Sequence, residues 1–233
     1  SIYDHRGNPK KINFSKEKFH KFKDKIKHVV VEEKFPKKNT PWQNQALQRE
    51  CIFDGIKEAS KEDYIMFSDP DEIPNPIKIK NISLKKKFGI FFQKMYTYKM
   101  NLFNKYESPW EGTRICKKKN LKSVDWLRHK VLYKNLKYGF WRFDKERNIE
   151  IIDNGGWHFN YLLKPEEIAK KFKSLAETSW DNEKYYNEKN IRDKINQKMD
   201  LFGRGHIFEN VKIDDTFPDY IKKNLNKYAE WIL

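Results

Sequence analysis

The sequence has few features that would crosslink it or anchor it in a membrane. Its two cysteines, Cys51 and Cys116, lie too far apart for a metal-ligand cluster or a disulfide framework. No apolar run approaches the roughly 18 residues of a membrane span, and no signal-peptide pattern is visible at Ser1. Internal repeats and low-complexity stretches are also missing. These absences exclude a disulfide-rich mini-domain and a membrane-spanning protein for this segment.

Apolar residues are scarce, but aromatic residues are not. Hydrophobic residues make up 38% of the 233 residues and charged residues 35%, against about 45–50% and about 25% in typical globular chains. The aromatic share of 15% is too high for a disordered chain. Each aromatic side chain buries about 150–250 Å², so these residues supply the missing core area. We expect one domain over residues 1–233.

Charge of one sign dominates. Lysine and arginine number 49 and acidic residues 33, which gives a net charge of +16. Such an excess is typical of proteins with polyanionic partners. The lysines are spread along the chain, however, and the short runs 85–87 and 117–119 are typical of solvated loops. We therefore expect no stable nucleic-acid complex, although a basic binding domain remains an alternative.

The hydrophobic pattern predicts alternating strands and helices. It favours strands near 28–32, 63–68, 88–92, 95–102 and 149–152, and helices over 43–59, from 165, over 191–199 and over 218–233. The first strand, helix and strand would form a βαβ unit, whose strands are parallel. We expect an α/β fold with a mainly parallel central sheet flanked by helices and a helical C-terminal third.

An acidic turn follows the strand at 63–68. Asp69 and Asp71 are two residues apart, between Pro70 and Pro74, which stiffen the turn. Ligands of open α/β sheets bind at the carboxyl ends of strands, and paired carboxylates suit a hard cation such as Mg²⁺ or Mn²⁺. The alternative is an Asx-type turn that caps the next segment.

A second constellation, Gly155–His158, follows the strand at 149–152. Its two glycines allow close approach to a ligand or to another segment, and Trp157 offers a flat face for a sugar ring. His158 suits a metal ligand or a general base. The alternative is a core tryptophan beside a satisfied buried histidine. Arg49 and Arg114 match the geometry of a diphosphate, or else form surface ion pairs.

These motifs, in this order and separation, resemble glycosyltransferase family 17, whose members include β-1,4-mannosyl-glycoprotein N-acetylglucosaminyltransferases. The resemblance covers nearly the whole chain. Its segments are Trp42 with Gln48–Arg49, 68–74 (SDPDEIP), 98–102 (YKMNL), 110–113 (WEGT), 155–162 (GGWHFNYL) and 200–204 (DLFGR).

The resemblance implies a GT-A-like, inverting, metal-dependent transferase. It would move a sugar, N-acetylglucosamine in the named members, from a UDP-sugar donor to a glycan hydroxyl. By this resemblance Mn²⁺ or Mg²⁺ would bind Asp69, Asp71 and His158, and the catalytic groups would be Asp71, Glu72 and His158. Glu72 would be the base or a structural partner of Arg49. Donor binding would involve Arg6, Lys10, Arg49, Asp69, Gly155, Gly156 and Trp157, with a stacking role for Trp110.

The chain also departs from the family pattern. Family members begin with a nucleotide-binding strand, and the first residues of this chain resemble the stretch that follows that strand. We therefore expect the nucleotide-binding strand to be missing. Asn160 stands where the family often has serine. A non-catalytic glycan- or nucleic-acid-binding basic domain is therefore the alternative to an enzyme. Because no membrane anchor is visible, we expect a soluble, cytoplasmic protein from a microbe or a virus.

Overall fold

The structure is a computed structural model that describes residues 1–12, 14–178 and 182–233. It is a mixed α/β fold. Within the described residues the strands are β1 (Tyr64–Phe67), β2 (Glu72–Pro74), β3 (Phe88–Thr97), β4 (Leu102–Phe103), β5 (Trp110–Lys117), β6 (Ile149–Asn160) and β7 (Glu209–Asn210). The α-helices of the same ranges are α1 (Pro41–Glu50), α2 (Pro76–Lys80), α3 (Val124–Lys130), α4 (Pro165–Ser174), α5 (Glu183–Tyr186), α6 (Glu188–Asn196) and α7 (Asp219–Lys222).

Strand β3 lies at the centre of a single mixed sheet. It pairs with β5 and β4 along one edge and with β6 along the other, while β1 extends the sheet beyond β5 and β2 beyond β6. The sheet is curled, because β2 comes back near β5 and Trp110 Nε1 donates to Glu72 Oε1 at 2.9 Å. This curl places the turn between β1 and β2 over the middle of the sheet.

The prediction of a mainly parallel sheet is wrong. Among the described strands only β3 and β6 pair in parallel, and the other five pairs are antiparallel. The predicted βαβ unit fails at its first strand, because residues 28–32 form no ladder. Val29–Val31 are only half-buried, and exposed residues precede them. An apolar run indicates burial but not strand direction, so the pattern carried no information on pairing.

Several predicted elements are confirmed with changed boundaries. The strand at 63–68 is β1, and the two aromatic strands are the single strand β3 followed by a turn. The helix at 43–59 is α1 continued by a 3-10 helix at Cys51–Ile56. The helix predicted at Pro165 is α4, with Ile168 and Phe172 buried. The last predicted helix is divided into α7 and a 3-10 helix at Leu225–Trp231.

The core consists of apolar clusters on the two faces of the sheet. One cluster packs α3 against β1, β3 and β5 through Phe67, Ile90, Cys116 and Leu127. Another packs α4 and α6 through Ile168, Phe172 and Ile191. A third cluster holds Trp157 and Phe159 of β6 against the C-terminal segment. The helices thereby close around one end of the sheet and form the walls of a cleft.

Candidate active site

A large cleft lies over the sheet. Its volume is about 2420 Å³, well above the roughly 300–1,000 Å³ of common small-molecule pockets. Its walls come from the N-terminal loop, α1, the turn at 68–71, β6, α4 and the segment 215–221. Eight of the predicted site residues line it: Lys10, Arg49, Asp69, Asp71, Trp110, Gly156, Trp157 and His158. The cleft has room for a donor and an acceptor together.

The first carboxylate of the acidic turn lies between two guanidinium groups. Asp69 Oδ2 is 2.9 Å from Arg128 Nη2, and Asp69 Oδ1 is 3.6 Å from Arg49 Nη2. Arg49 also reaches Asp125 Oδ1 at 3.4 Å, so it joins α1 to α3. The Asp69 carboxylate is thus directed towards arginines rather than towards Asp71 and His158.

Arg128 is the central cation of this region, and the sequence reasoning missed it. It lies in the last turn of α3, whose N-cap is Ser123. It is buried, and its Nη2 is 2.8 Å from Glu72 Oε1. Arg114 lies behind it, and burial together with the charge of Arg128 lowers the pKa of Arg114 to about 10. A basic residue in a last helical turn usually caps the helix at the surface, so its position alone gave little signal.

The side chain of Glu72 is completely buried. Its side chain is 0% exposed, and its oxygens accept hydrogen bonds from Arg128, Trp110 Nε1 and the Asp69 amide. It does not line the cleft. The structural role that the sequence allowed fits these contacts, but the partner is Arg128 and not Arg49. Because its side chain is inaccessible and outside the cleft lining, we do not carry the general-base role forward.

The second carboxylate faces a histidine in the cleft. Asp71 Oδ2 is 3.5 Å from His158 Nε2 and 3.9 Å from Lys171 Nζ of α4. His158 lies in β6 directly opposite Glu72 of β2, and the Phe159 amide donates to the Asp71 carbonyl at 2.9 Å. Burial would raise the pKa of Asp71, but the His158 ring and the Lys171 ammonium outweigh it and lower that pKa below its usual value.

The imidazole of His158 is buried beside Asp71. It is 6% exposed, and among the described residues neither ring nitrogen makes a hydrogen bond, although Nε2 lies 3.5 Å from Asp71 Oδ2. The edge of the Trp110 ring packs against it, with centroids 4.9 Å apart. A buried polar atom without a partner loses its hydration at a cost of about 1–3 kcal/mol. The nitrogen that faces Asp71 is therefore a strong candidate for a ligand-binding atom.

The two glycines allow the close packing of β6 against its neighbours, and Gly156 also lines the cleft. Gly156 has φ +132°, and a Cβ there would overlap the Ile73 carbonyl oxygen of β2. A Cβ on Gly155 would lie 2.8 Å from the backbone of Phe91 in β3. The pair lies inside β6 and lets the strand pass closely between its neighbours. Of the two options that the sequence left open, close approach to another segment is the observed one.

Trp157 is mainly a core residue. It is 7% exposed, and its Nε1 donates to the Thr216 carbonyl at 2.9 Å. It packs with Tyr96, Phe159 and Phe217. This contact fixes the segment 215–221 as a wall of the cleft. Trp110 has a freer ring at the cleft surface and is the better placed of the two to touch a sugar.

The N-terminal loop forms one rim of the cleft. Lys10 lines the cleft, as predicted for a donor-binding cation. Arg6 has a different place. Its Nε donates to the Leu175 carbonyl and its Nη2 to the Phe172 carbonyl, both at 3.1 Å. Arg6 thus satisfies carbonyls at the end of α4 and attaches the loop to that helix, and it does not line the cleft.

The sequence model of Glycosyltransferase family 17 matches residues 3–223 of the chain. That range includes the acidic turn, β6 and all of the lining residues of the cleft except Tyr228. The chain belongs to glycosyltransferase family 17. Searches of curated proteins and of solved structures gave no significant match. As a family 17 member the protein is a glycosyltransferase, with a sugar donor and an acceptor as its substrates.

The residues of this family 17 chain fit a divalent cation through two protein ligands rather than three. Among the described residues, no group of three or more His, Cys, Asp or Glu side chains converges on one point. Asp69 is engaged by arginines, which leaves Asp71 and His158 Nε2, 3.5 Å apart. Mg²⁺ in phosphate-binding sites commonly uses one or two protein carboxylates and completes its shell with phosphates and water. The pair Asp71 and His158 fits that arrangement.

Two further features of the family 17 cleft escaped the sequence reasoning. Lys170 and Lys171 of α4 line it, although the pattern indicated only which face of α4 is apolar. Tyr161 lies under Lys171, whose Nζ is 4.7 Å from the ring centroid.

Within the described ranges, no helix has the length and apolar character to cross a bilayer.

Proposed function

We propose that the protein is a metal-dependent inverting glycosyltransferase that moves N-acetylglucosamine from UDP-N-acetylglucosamine to a glycan hydroxyl. Family membership supports the transferase, and the donor and sugar follow from the sequence resemblance. The single observation that carries the metal dependence is the pair of Asp71 and His158. A partly exposed carboxylate faces a buried imidazole nitrogen at 3.5 Å in a cleft large enough for both substrates.

In this proposal Asp71 Oδ2 and His158 Nε2 would hold the Mn²⁺ or Mg²⁺ ion. When bound, the ion would neutralise the charge that develops on the departing diphosphate. Phe159 and Asp71 are joined by a backbone hydrogen bond, and β6 is buried at this point. Both ligands are therefore held on rigid backbone before the donor arrives, which keeps the reorganisation cost low.

Cationic side chains around the pair would bind the donor diphosphate. Lys171 Nζ is already 3.9 Å from Asp71, and Lys10, Lys94 and Lys170 also line the cleft. Ammonium groups are compact charges suited to phosphate oxygens. Arg49 and Arg128 would position the metal-binding turn rather than bind the diphosphate. They hold Asp69 and so fix the backbone of the turn that carries Asp71.

The acceptor hydroxyl has to pass its proton to a group at the cleft surface. Glu72 does not meet this requirement, since its side chain is inaccessible and accepts three hydrogen bonds. We assign Glu72 to the support of the turn through Arg128 and the Asp69 amide. Trp110, fixed by its bond to Glu72 and half-buried in the cleft wall, would provide an apolar face for a sugar ring.

The direct test is turnover with a matched pair of variants. We expect release of UDP from UDP-N-acetylglucosamine in the presence of Mn²⁺ and a mannose-core glycan, and its loss on chelation of the metal. Asp71→Asn should lower kcat at least about a hundredfold, as expected for removal of a preorganised charge. Asp153→Asn, on an exposed part of β6 outside the cleft, should retain the rate of the unaltered protein.

The outcomes separate the proposal from its alternative. Turnover that persists in Asp71→Asn would contradict the metal role of that carboxylate. Glycan binding without UDP release from any nucleotide sugar would favour the non-catalytic glycan-binding domain. Tight binding of oligonucleotides without turnover would favour a nucleic-acid-binding domain.

A further inference from the structure

One element of the structure has no inward-facing side. The residues 15–28, which we name the basic segment, include a 3-10 helix at His20–Lys25 with no buried residue. Every residue from 16 to 28 is exposed. An element of this kind gains almost no stability from core burial, although most helical stability in proteins comes from packing of an apolar face.

The basic segment nevertheless carries three exposed apolar side chains. Phe22 lies within the 3-10 helix, and Phe19 and Ile26 flank its two ends. Phe19, Phe22 and Ile26 are 38%, 55% and 36% exposed. The Phe19 ring is stacked on Phe14 on one side, and all three side chains stay open to solvent.

Lysines flank these three side chains in the sequence. The basic segment contains Lys16, Lys18, Lys21, Lys23, Lys25 and Lys27. Glu17 and Asp24 are its two acidic residues, so its net charge is +4 with neutral histidines. Within the part of the chain that the structure describes, Lys27 is the one lysine of this segment in an ion pair, with Glu58 at 3.2 Å. Exposed apolar side chains within a cluster of four to eight cationic residues are typical of helices that lie on anionic membranes.

We propose that the basic segment binds the surface of an anionic phospholipid bilayer. Phe19, Phe22 and Ile26 enter the boundary between headgroups and acyl chains, and the lysines contact the anionic headgroups. Charge complementarity and the three exposed apolar side chains favour a bilayer over a nucleic acid. Ile26 has no ring on which a base could stack, and the Phe19 ring is already stacked on Phe14 at 5.6 Å with an interplanar angle of 2°.

This binding would hold the cleft near the bilayer. Lys11 lines the cleft, and Ser15 follows four positions later, which is at most about 14 Å of extended chain. The basic segment itself does not line the cleft. Membrane binding would therefore bring the active site close to an acceptor at a membrane surface. The binding itself does not depend on the identity of the donor or on the metal.

The test is co-sedimentation of the full chain with vesicles. We expect binding to vesicles of phosphatidylcholine with about one-third phosphatidylserine, weakened by raised salt, and little binding to phosphatidylcholine alone. Substitution of Lys21, Lys23 and Lys25 by glutamine should lower the partition coefficient about a hundredfold, since each lysine contributes roughly fivefold. Substitution of Phe19, Phe22 and Ile26 by serine should lower it about tenfold or more.

Two controls match these variants. The first control is the substitution of Lys85, Lys86 and Lys87 by glutamine, which removes the same charge from another exposed run. Phe143→Ser removes an aromatic side chain that is 91% exposed in a different loop. Both controls should retain vesicle binding. The circular dichroism spectrum and thermal midpoint of every variant should match those of the unaltered protein, because none of these side chains is buried.

Four results would overturn the proposal. Equal binding to both kinds of vesicle would exclude the electrostatic part. Full binding by the serine variant or by the glutamine variant of the basic segment would exclude that segment. Loss of binding in Phe143→Ser alone would assign the membrane contact to the other loop. Binding of a single-stranded oligonucleotide through the basic segment, without vesicle binding, would assign the segment to a nucleic acid.

Discussion

At the scale of single residues, the two carboxylates of the acidic turn have different surroundings. Asp69 is paired with Arg49 and Arg128, whereas Asp71 faces His158 and Lys171. Their spacing in the sequence predicted a turn that presents two carboxylates suited to a cation. It did not predict the partners of either carboxylate, because these partners belong to elements far away along the chain.

Arg128 offers a test of how the turn is supported. We expect Arg128→Met to lower the free energy of unfolding by about 3 kcal/mol or more, because it leaves Glu72 as a buried charge without its cation. Denaturant unfolding measures this change. The double variant Glu72→Gln, Arg128→Met should regain part of the loss, since it removes the uncompensated charge.

The same variants have a clear contrary result. A loss below about 1 kcal/mol in Arg128→Met would be the value of an exposed ion pair. It would show that Arg128 does not stabilise the buried Glu72. A double variant that is less stable than Arg128→Met would contradict the same point, because removal of the Glu72 charge would then bring no relief.

At the scale of elements, β6 decides the geometry of the site. The sequence predicted a strand at 149–152 that ends before the glycine pair, whereas β6 continues to Asn160. A glycine pair is typical of turns, and only the tertiary context shows that these glycines admit the neighbouring strands β2 and β3. The same continuation places Glu72 opposite His158.

Gly156 should therefore be intolerant of a side chain. We expect Gly156→Ala to lower the free energy of unfolding by more than about 2 kcal/mol, since it combines an unfavourable φ with overlap of the Ile73 carbonyl. Gly203→Ala is the matched control. Gly203 also has a positive φ, +71°, but no atom lies within 4 Å of its added Cβ, so its cost should be about 1 kcal/mol. Equal costs would mean that the close strand approach is unimportant.

At the scale of the whole molecule, the motifs predicted more than the periodicity did. Six short segments indicated glycosyltransferase family 17, and the family model confirms it over residues 3–223. The predicted parallel direction of most strands was wrong, because apolar runs in mixed and parallel sheets look alike. The GT-A architecture and the single domain stay predictions. The cleft joins loops from both ends of the chain, an assembly that local patterns do not encode.

The measurement that tests the account most directly is a thermal-shift experiment with UDP, with and without Mn²⁺. A ligand of the folded state at a hundredfold excess over its Kd stabilises it by about 2.7 kcal/mol, or roughly 5 °C or more for a chain of this size. We predict this shift only with both ligands present, its loss in Asp71→Asn and its retention in Asp153→Asn. An equal shift without Mn²⁺, or in Asp71→Asn, would contradict a cation held by Asp71 and His158.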